Sequence, residues 1–360
     1  MIASDEQGMG PPERILVVLP SWVGDVVMAT PVLRALRQRF ADSSITLLGR
    51  PMMEELLAGT TWCDELLTWE PKGGSASGVG LFGLAGQLRR RRFEWALLLT
   101  NSFRSALLVR LAGVSRRVGY AREGREILLT DRLTVQREAG RIKITRMVDY
   151  YGRLAQHVGC DWPGDRLELA VDPASEKQIE ERLAGLGLAK RHPLIVMSPG
   201  ASFGAAKLWP VERFAELGDT LVQQHSAAVV ISCAPGEEAI AGRIGEQMKS
   251  NTYVLDQPVT TLGQFKSLVK RCDVWVGNDA GARHIAKAFG KPAVTVFGPT
   301  HAGWTETEYP LERKVSVPVD CGPCQLKTCP LDHRCMTGVS VAAVAAAVGQ
   351  LLDLRQDEAA

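Results

Sequence analysis

Short unbroken apolar runs recur along the chain, each followed by a glycine- or proline-bearing turn and then by apolar residues spaced three or four apart. ILVVL (15–19) is the first such run, and its continuity predicts a strand buried on both faces. The turn PSWVGD follows, and VVMATPVLRALRQRF (26–40) has helical apolar spacing, although Pro31 within it removes a donor and bends the axis. ITLLG (45–49) and WALLLT (95–100) are further strands. Short strands alternating with amphipathic helices predict a parallel α/β sheet. The pattern breaks over 172–193, where DPASEKQIEERLAGLGLAKRHP carries one helix flanked by proline and charge, as suits a linker or crossover. A second alternation then begins, with strands LIVMSPG (194–200), AVVISC (228–233), VWVGND (274–279) and AVTVFG (293–298) and a last helical pattern at 339–354. The expectation is two Rossmann-like domains, 14–171 and 194–338, facing a central cleft, preceded by a disordered leader (1–13) and followed by a helix and tail (339–360). KGGSASGVG (72–80) is expected to be a small flexible loop.

Length agrees with that division, since 360 residues exceed one ordinary core. A composition of 46% hydrophobic and 23% charged residues is that of globular protein, and a formal net charge of +2 excludes no partner. No apolar stretch reaches the ~20 residues of a spanning helix, and MIASDEQGMGPPER lacks the basic and apolar regions of a signal peptide. The expected location is therefore the cytoplasm, where the eight cysteines stay reduced by default.

Ligands of doubly wound sheets bind beyond the carboxyl ends of the strands, and the chemistry-bearing motifs fall there. In PSWVGDVVMATP (20–31), Gly24 and Asp25 follow a buried strand where a helix opens. Asp25 is either a helix N-cap or a carboxylate projecting into the cleft as a general base. SPGASFGAAKLWP (198–210) offers Ser198, Gly200 and other small residues that let backbone amides approach a phosphate, with Lys207 to offset its charge. It lacks the Walker spacing, and a solvated surface lysine is the plain alternative. GNDAGARHIAKAFGKPAVTVFGPT (277–300) ends a strand at Asp279, opens a helix at Ala280 and Gly281, and places His284 one turn in. Asp279 suits sugar hydroxyls and the amides suit a pyrophosphate, whereas a single histidine there is more often structural. CAPGEEAIAGRI (233–244) puts Glu237 and Glu238 at another helix start. Acids there complement the helix dipole or accept hydrogen bonds from ribose hydroxyls.

Taken in this order, the motifs resemble those of the ADP-heptose–lipopolysaccharide heptosyltransferases of glycosyltransferase family 9, over nearly the whole chain. PSWVGD and PGASFGAAKLWP look most like the heptosyltransferase II branch. The resemblance implies a GT-B fold, a donor held mainly by the C-terminal domain, an acceptor held by the N-terminal domain, and inversion at the anomeric carbon without an obligatory metal. By matching position it implies Asp25 as base and Lys207 as phosphate partner. Asp279 and the amides after it would hold sugar and diphosphate, and Glu237 or Glu238 the ribose. The alternatives are a GT-B transferase using another nucleotide-sugar, or a non-catalytic protein binding sugar-nucleotide or metal. A dehydrogenase is disfavoured because no GxGxxG follows the first strand.

Two further features bear on partners. Residues 89–146 hold 15 Lys or Arg against 5 Asp or Glu. The run RRRR (89–92) is expected to be a solvated helix face, and Arg104, Arg116, Arg117, Arg122, Arg125, Arg141 and Arg146 to suit an anionic lipopolysaccharide core, with only peripheral, salt-sensitive contact at the inner leaflet. Nucleic acid is not expected, since no recognised binding module accompanies the charge. CGPCQLKTCPLDHRC gathers Cys321, Cys324, Cys329 and Cys335, with His333 nearby. Four thiolates at such spacing suit a structural zinc site; an iron–sulfur centre and a plain loop of reduced thiols stay open.

Overall fold

The computed structural model describes residues 11–70 and 80–359, so most of the expected leader and of the 72–80 loop lies outside the described residues. The chain forms two compact units, one of residues up to Glu54 with Thr60–Asp165, the other of Glu55–Gly59 with Arg166 onward.

In the first unit, β1 (Arg14–Val18), β2 (Ser44–Gly49), β3 (Glu65–Thr68), β4 (Trp95–Leu98), β5 (Arg116–Tyr120) and β6 (Asp131–Leu133) make one sheet in the order β3-β2-β1-β4-β5-β6. Every neighbouring pair is parallel. Central β1 is flanked on both edges and covered on both faces, so only an apolar run serves: Ile15 to Val18 are at most 2% exposed. Around the sheet lie α1 (Val23–Met28), α2 (Thr30–Arg39), α3 (Met52–Leu57), which runs on into the second unit, α4 (Leu81–Arg91), α5 (Phe103–Leu111) and α6 (Met147–His157). A small antiparallel hairpin, β7 (Arg137–Glu138) with β8 (Arg141–Ile142), precedes α6. The helix expected over 26–40 is two helices. Ala29 ends α1 and caps α2, and Pro31 sits in the first turn of α2, where its missing N–H costs nothing.

The second unit repeats the plan with β9 (Leu194–Ser198), β10 (Ala228–Ser232), β11 (Tyr253–Leu255), β12 (Val274–Asn278), β13 (Ala293–Val296) and β14 (Glu312–Val315), ordered β11-β10-β9-β12-β13-β14 and wholly parallel. Its helices are α7 (Pro173–Gly185), α8 (Val211–His225), α9 (Glu238–Gln247), α10 (Leu262–Arg271), α11 (Gly281–Ala288), α12 (Arg334–Thr337) and α13 (Val341–Ala359). Trp209, Phe214, Met336 and the apolar face of α13 share one core with the strands. The stretch 172–193 differs from a free linker: Asp172 caps α7 by accepting from the Ser175 N–H, and α7 buries Ile179 and Leu183 as it packs on α10. The buried ammonium of Lys266 fastens the same wall, donating to the carbonyls of Leu56 (2.8 Å), Ala58 (3.1 Å) and Ala170 (2.7 Å). Burial pulls that ammonium down to about 8.

Among the described residues, no helix is long and apolar enough to cross a membrane. Both sheets reverse direction of winding at one point, between β1 and β4 and between β9 and β12. At such points the loops leaving the two strands part and open a crevice for a ligand.

Candidate active site

At the switch point of the first unit, Gly24 and Asp25 lie after β1, as the second and third residues of α1. Asp25 is therefore not the N-cap; Trp22 holds that place, in extended conformation and without a side-chain cap. The Asp25 carbonyl accepts the Ala29 N–H at 3.0 Å. Its carboxylate lies close enough to the fully buried Tyr151 of α6 that, after burial itself, its charge is the next cause pushing that phenol up. Thr100 and Asn101, after β4, complete this strand-end region. Arg125 holds them in place: its guanidinium is buried and donates to the carbonyls of Tyr120 (2.9 Å) and Thr100 and to Asn101 Oδ1 (3.2 Å). Tyr150 donates to the same Asn101 oxygen at 2.9 Å.

Arg125, expected to suit an anionic acceptor core, is thus buried and engaged inside the unit instead. Arg116 pairs with Asp131 at 3.0 Å and stacks on Trp95, Arg146 pairs with Asp149 at 2.7 Å, and Arg117 donates to the carbonyls of Leu128 and Val114. Arg104 stacks on Trp69, and Arg122 bonds to the Tyr150 phenol. In the run 89–92, Arg91 pairs with Glu65 and the other three are exposed. Further on, Arg104, Arg110, Arg132, Arg137, Arg141 and Lys143 are exposed, the last three on or beside the β7–β8 hairpin.

In the second unit, the loops after β9 and β12 meet. Asn278 donates to the Pro199 carbonyl at 2.6 Å and accepts the Trp209 N–H at 3.1 Å, which ties the two strand ends together. This brings Lys207, 72 residues away in sequence, onto Asp279: its ammonium donates to the Asp279 carbonyl at 2.8 Å and to Oδ2 at 2.7 Å. Thr300, after β13, donates to that oxygen at 2.6 Å, and Arg283 donates to Oδ1 at 2.8 Å. Burial opposes the charge on Asp279, but Arg283 and Lys207 outweigh it and hold the carboxyl at about 2. Behind this pair, Arg283 and Lys287 share Glu312, which also accepts from Thr295 at 2.9 Å. Three cations thus meet two carboxylates along this chain of contacts, which runs from Lys207 and Asp279 at the carboxyl ends of the strands to Glu312 at the start of β14.

Ala280 caps α11 in extended conformation with no side-chain acceptor, and Gly281 begins the helix; the Arg283 N–H donates to the Ala280 carbonyl at 3.3 Å, and the amides before it have no preceding turn to bond to. His284 is 2% exposed and its Nδ1 has no hydrogen-bond partner among the described residues. Burial first, then the cations Arg283, Lys287 and Lys207, push it well below the usual histidine range, so the ring is neutral. Ser198 is buried, its Oγ accepting from the Trp275 indole at 3.0 Å. Gly200 faces the Glu237 carboxylate so closely that an added Cβ would lie 1.8 Å from Oε2. Glu237 accepts from the Ala234 N–H at 3.0 Å and from the Ala201 N–H, while burial raises its carboxyl. Glu238 instead lies in the first turn of α9, away from that loop, where its own and the Gly236 amide lower it. Of the acidic pair it is Glu237 that adjoins the Ser198–Gly200 loop.

Sequence reasoning missed Thr300, Arg283 and Glu312, and in the first unit Asn101 and Tyr150. Only Thr300 carried a signal, as the last residue of a GPT that repeats the strand-end theme. Cys321, Cys324, Cys329 and Cys335 are free thiols that line one cavity beside Ala206, Pro299 and His333. Burial, then the neighbouring Cys329, Cys324 and Cys321, raise the Cys335 thiol.

Comparison with known proteins places this arrangement. The family model for glycosyltransferase family 9 (heptosyltransferase) matches residues 81–334. Lipopolysaccharide heptosyltransferase 2 of Salmonella typhimurium is 31% identical over 312 residues, 84% of this chain and 87% of that protein. Lipooligosaccharide heptosyltransferase 2 of Haemophilus influenzae is 30% identical over 316 residues, 84% and 88% of the two chains. The solved structure of the ADP-heptose lipopolysaccharide heptosyltransferase II of Escherichia coli superposes with a TM-score of 0.78 at 26% identity, covering 95% of this chain and 99% of that one. A family 9 glycosyltransferase of Veillonella parvula superposes with a TM-score of 0.80 over 94% and 97%, and at 21% identity speaks for the fold alone. The two Rossmann-like units make a GT-B fold, and the chain belongs to glycosyltransferase family 9, the heptosyltransferases.

Proposed function

We propose that this heptosyltransferase moves heptose from ADP-heptose to the inner core of lipopolysaccharide, with inversion at the anomeric carbon. Asp25 takes the proton from an acceptor hydroxyl as its oxygen bonds to C1 of the donor. The bond from C1 to the diphosphate oxygen breaks, and the electron pair leaves on ADP. Lys207 and the amides at the start of α11 stabilise the charge that grows there. Asp279 and His284 border the sugar. Glu237, held by two backbone amides, accepts from the ribose.

The observation that carries this reading is the sharing of Asp279 by Lys207 and Arg283. Asp279 orients the Lys207 ammonium, while Arg283 behind it is shared with Glu312, so a fixed cation waits at the strand ends for a dianionic leaving group. The names of the relatives supply the sugar and the nucleotide. The exposed cations of the β7–β8 hairpin suit phosphate or carboxylate groups of an acceptor core, and contact with a membrane surface would be peripheral and weakened by salt.

A donor screen by isothermal titration tests the substrate class. The full chain is expected to bind ADP-heptose more tightly than ADP-glucose, and either more tightly than any UDP-sugar. Tight binding of a UDP-sugar alone would overturn the donor while leaving the family intact.

A further inference from the structure

The loop from Cys321 to Cys335 has no regular element before α12, and its large apolar side chains, Leu326 and Leu331, are 44% and 62% exposed. Burial of apolar surface therefore does little to fix it, and a small segment lacking a core needs another staple. Yet it makes directed contacts with the two turns that present the donor-site side chains. The Ala206 N–H donates to the Lys327 carbonyl at 3.0 Å, and His333 Nε2 meets the Ala206 carbonyl at 2.7 Å. The Gln325 N–H donates to the Pro299 carbonyl at 2.8 Å. Ala206 adjoins Lys207 and Pro299 adjoins Thr300, so the loop clasps the turns that carry two of the three partners of the Asp279 carboxylate. The approach is close enough that a Cβ on Gly204 would lie 2.4 Å from the Lys327 carbonyl oxygen.

All four cysteines of the loop border one cavity of about 20 Å³, enough for a single water-sized occupant. Among the described residues no three His, Cys, Asp or Glu side chains are drawn into a coordination shell. The thiols line the void, and a cation entering it would draw them together. Hard cations prefer oxygen donors, whereas four sulfur ligands select zinc or another soft cation. We propose that Cys321, Cys324, Cys329 and Cys335 form a structural thiolate site for one soft divalent cation, and that its occupancy fixes the clasp on the Lys207 and Thr300 turns. On binding, each thiol releases its proton and the sulfur lone pair goes to the cation, which undergoes no redox change.

The test uses the full chain, stripped of metal with a chelator, reduced, and then titrated with zinc or cobalt(II). The expected result is one cation per chain, a cobalt–thiolate charge-transfer band with tetrahedral d–d absorption, and slower amide exchange at Ala206 once zinc is bound. Cys321→Ser and Cys329→Ser, both outside the core, should lose the band while keeping the far-UV spectrum, and Cys63→Ser should keep both. These readouts are independent of the donor, so they stand or fall separately from the proposed transfer. Substoichiometric metal with every thiol reduced, an unchanged band in both loop variants, or a disulfide-linked loop in the protein as isolated would overturn the site. Metal binding with no change in Ala206 exchange would overturn the clasp.

Discussion

Asp25→Ala is expected to bind ADP with nearly wild-type affinity and to lose transfer by about 10²–10⁴-fold, the contribution of a positioned general base. The fold should survive the change. Asp25 is the third residue of α1 and is not its N-cap, so the change removes no cap; the first-turn charge it does remove is worth roughly 0.3–1 kcal/mol against the helix dipole. A purely structural role would show as a lowered melting temperature with proportionate loss of everything else. The predicted pattern is the opposite, with kcat falling while the ADP titration stays in place. Near wild-type turnover in the variant would return Asp25 to the role of a helix-terminus charge.

Lys207→Ala has the second largest expected effect, and its signature is different. It removes one of the two cations on Asp279 and leaves Arg283 and Thr300 in place. ADP affinity and kcat/KM should both fall, the latter by about 10²–10³-fold, as when a preorganised donor to a developing anion is lost. The change also touches stability at low pH. Asp279 has its carboxyl held at about 2, below the ~3.9 of an unfolded aspartate. Its contribution is present above the unfolded value and is lost as pH falls through about 2. Without Lys207 the carboxyl rises, so acid unfolding should begin at higher pH than in the wild type. Unchanged kinetics and an unchanged acid midpoint would make Lys207 a surface lysine, contrary to its hold on Asp279.

The centre of each sheet was legible because burial on both faces leaves no freedom: β1, β9, β10, β12 and β13 can only be apolar runs. The strands further out were not. β5, one place in from the edge, begins with two arginines and the edge strand β14 is ERKV, since a half-buried stretch tolerates charge and shows neither continuity nor alternation. Pro31 signalled the break between α1 and α2, but the apolar spacing ran through it. The donor-site residues could be named from their positions at strand ends. Their pairing could not, because contact between Lys207 and Asp279 depends on β9 and β12 being neighbours across a crossover. Charge was the most misleading signal. Counting arginines over 89–146 weights Arg125 and Arg141 alike, although one is buried on backbone carbonyls and the other is exposed. Composition records how many charges a segment has, and only the fold shows which are already engaged inside it.

Heptosyl transfer from an ADP donor is tested by ADP release from ADP-heptose by the full chain, followed in the presence and absence of a lipopolysaccharide core acceptor lacking the final inner-core heptose. The expected result is release that depends on the acceptor, a product heavier by one heptose with the anomeric configuration inverted, and loss of both in Asp25→Ala. Turnover with a UDP-sugar and none with ADP-heptose would contradict it, as would retained configuration in the product.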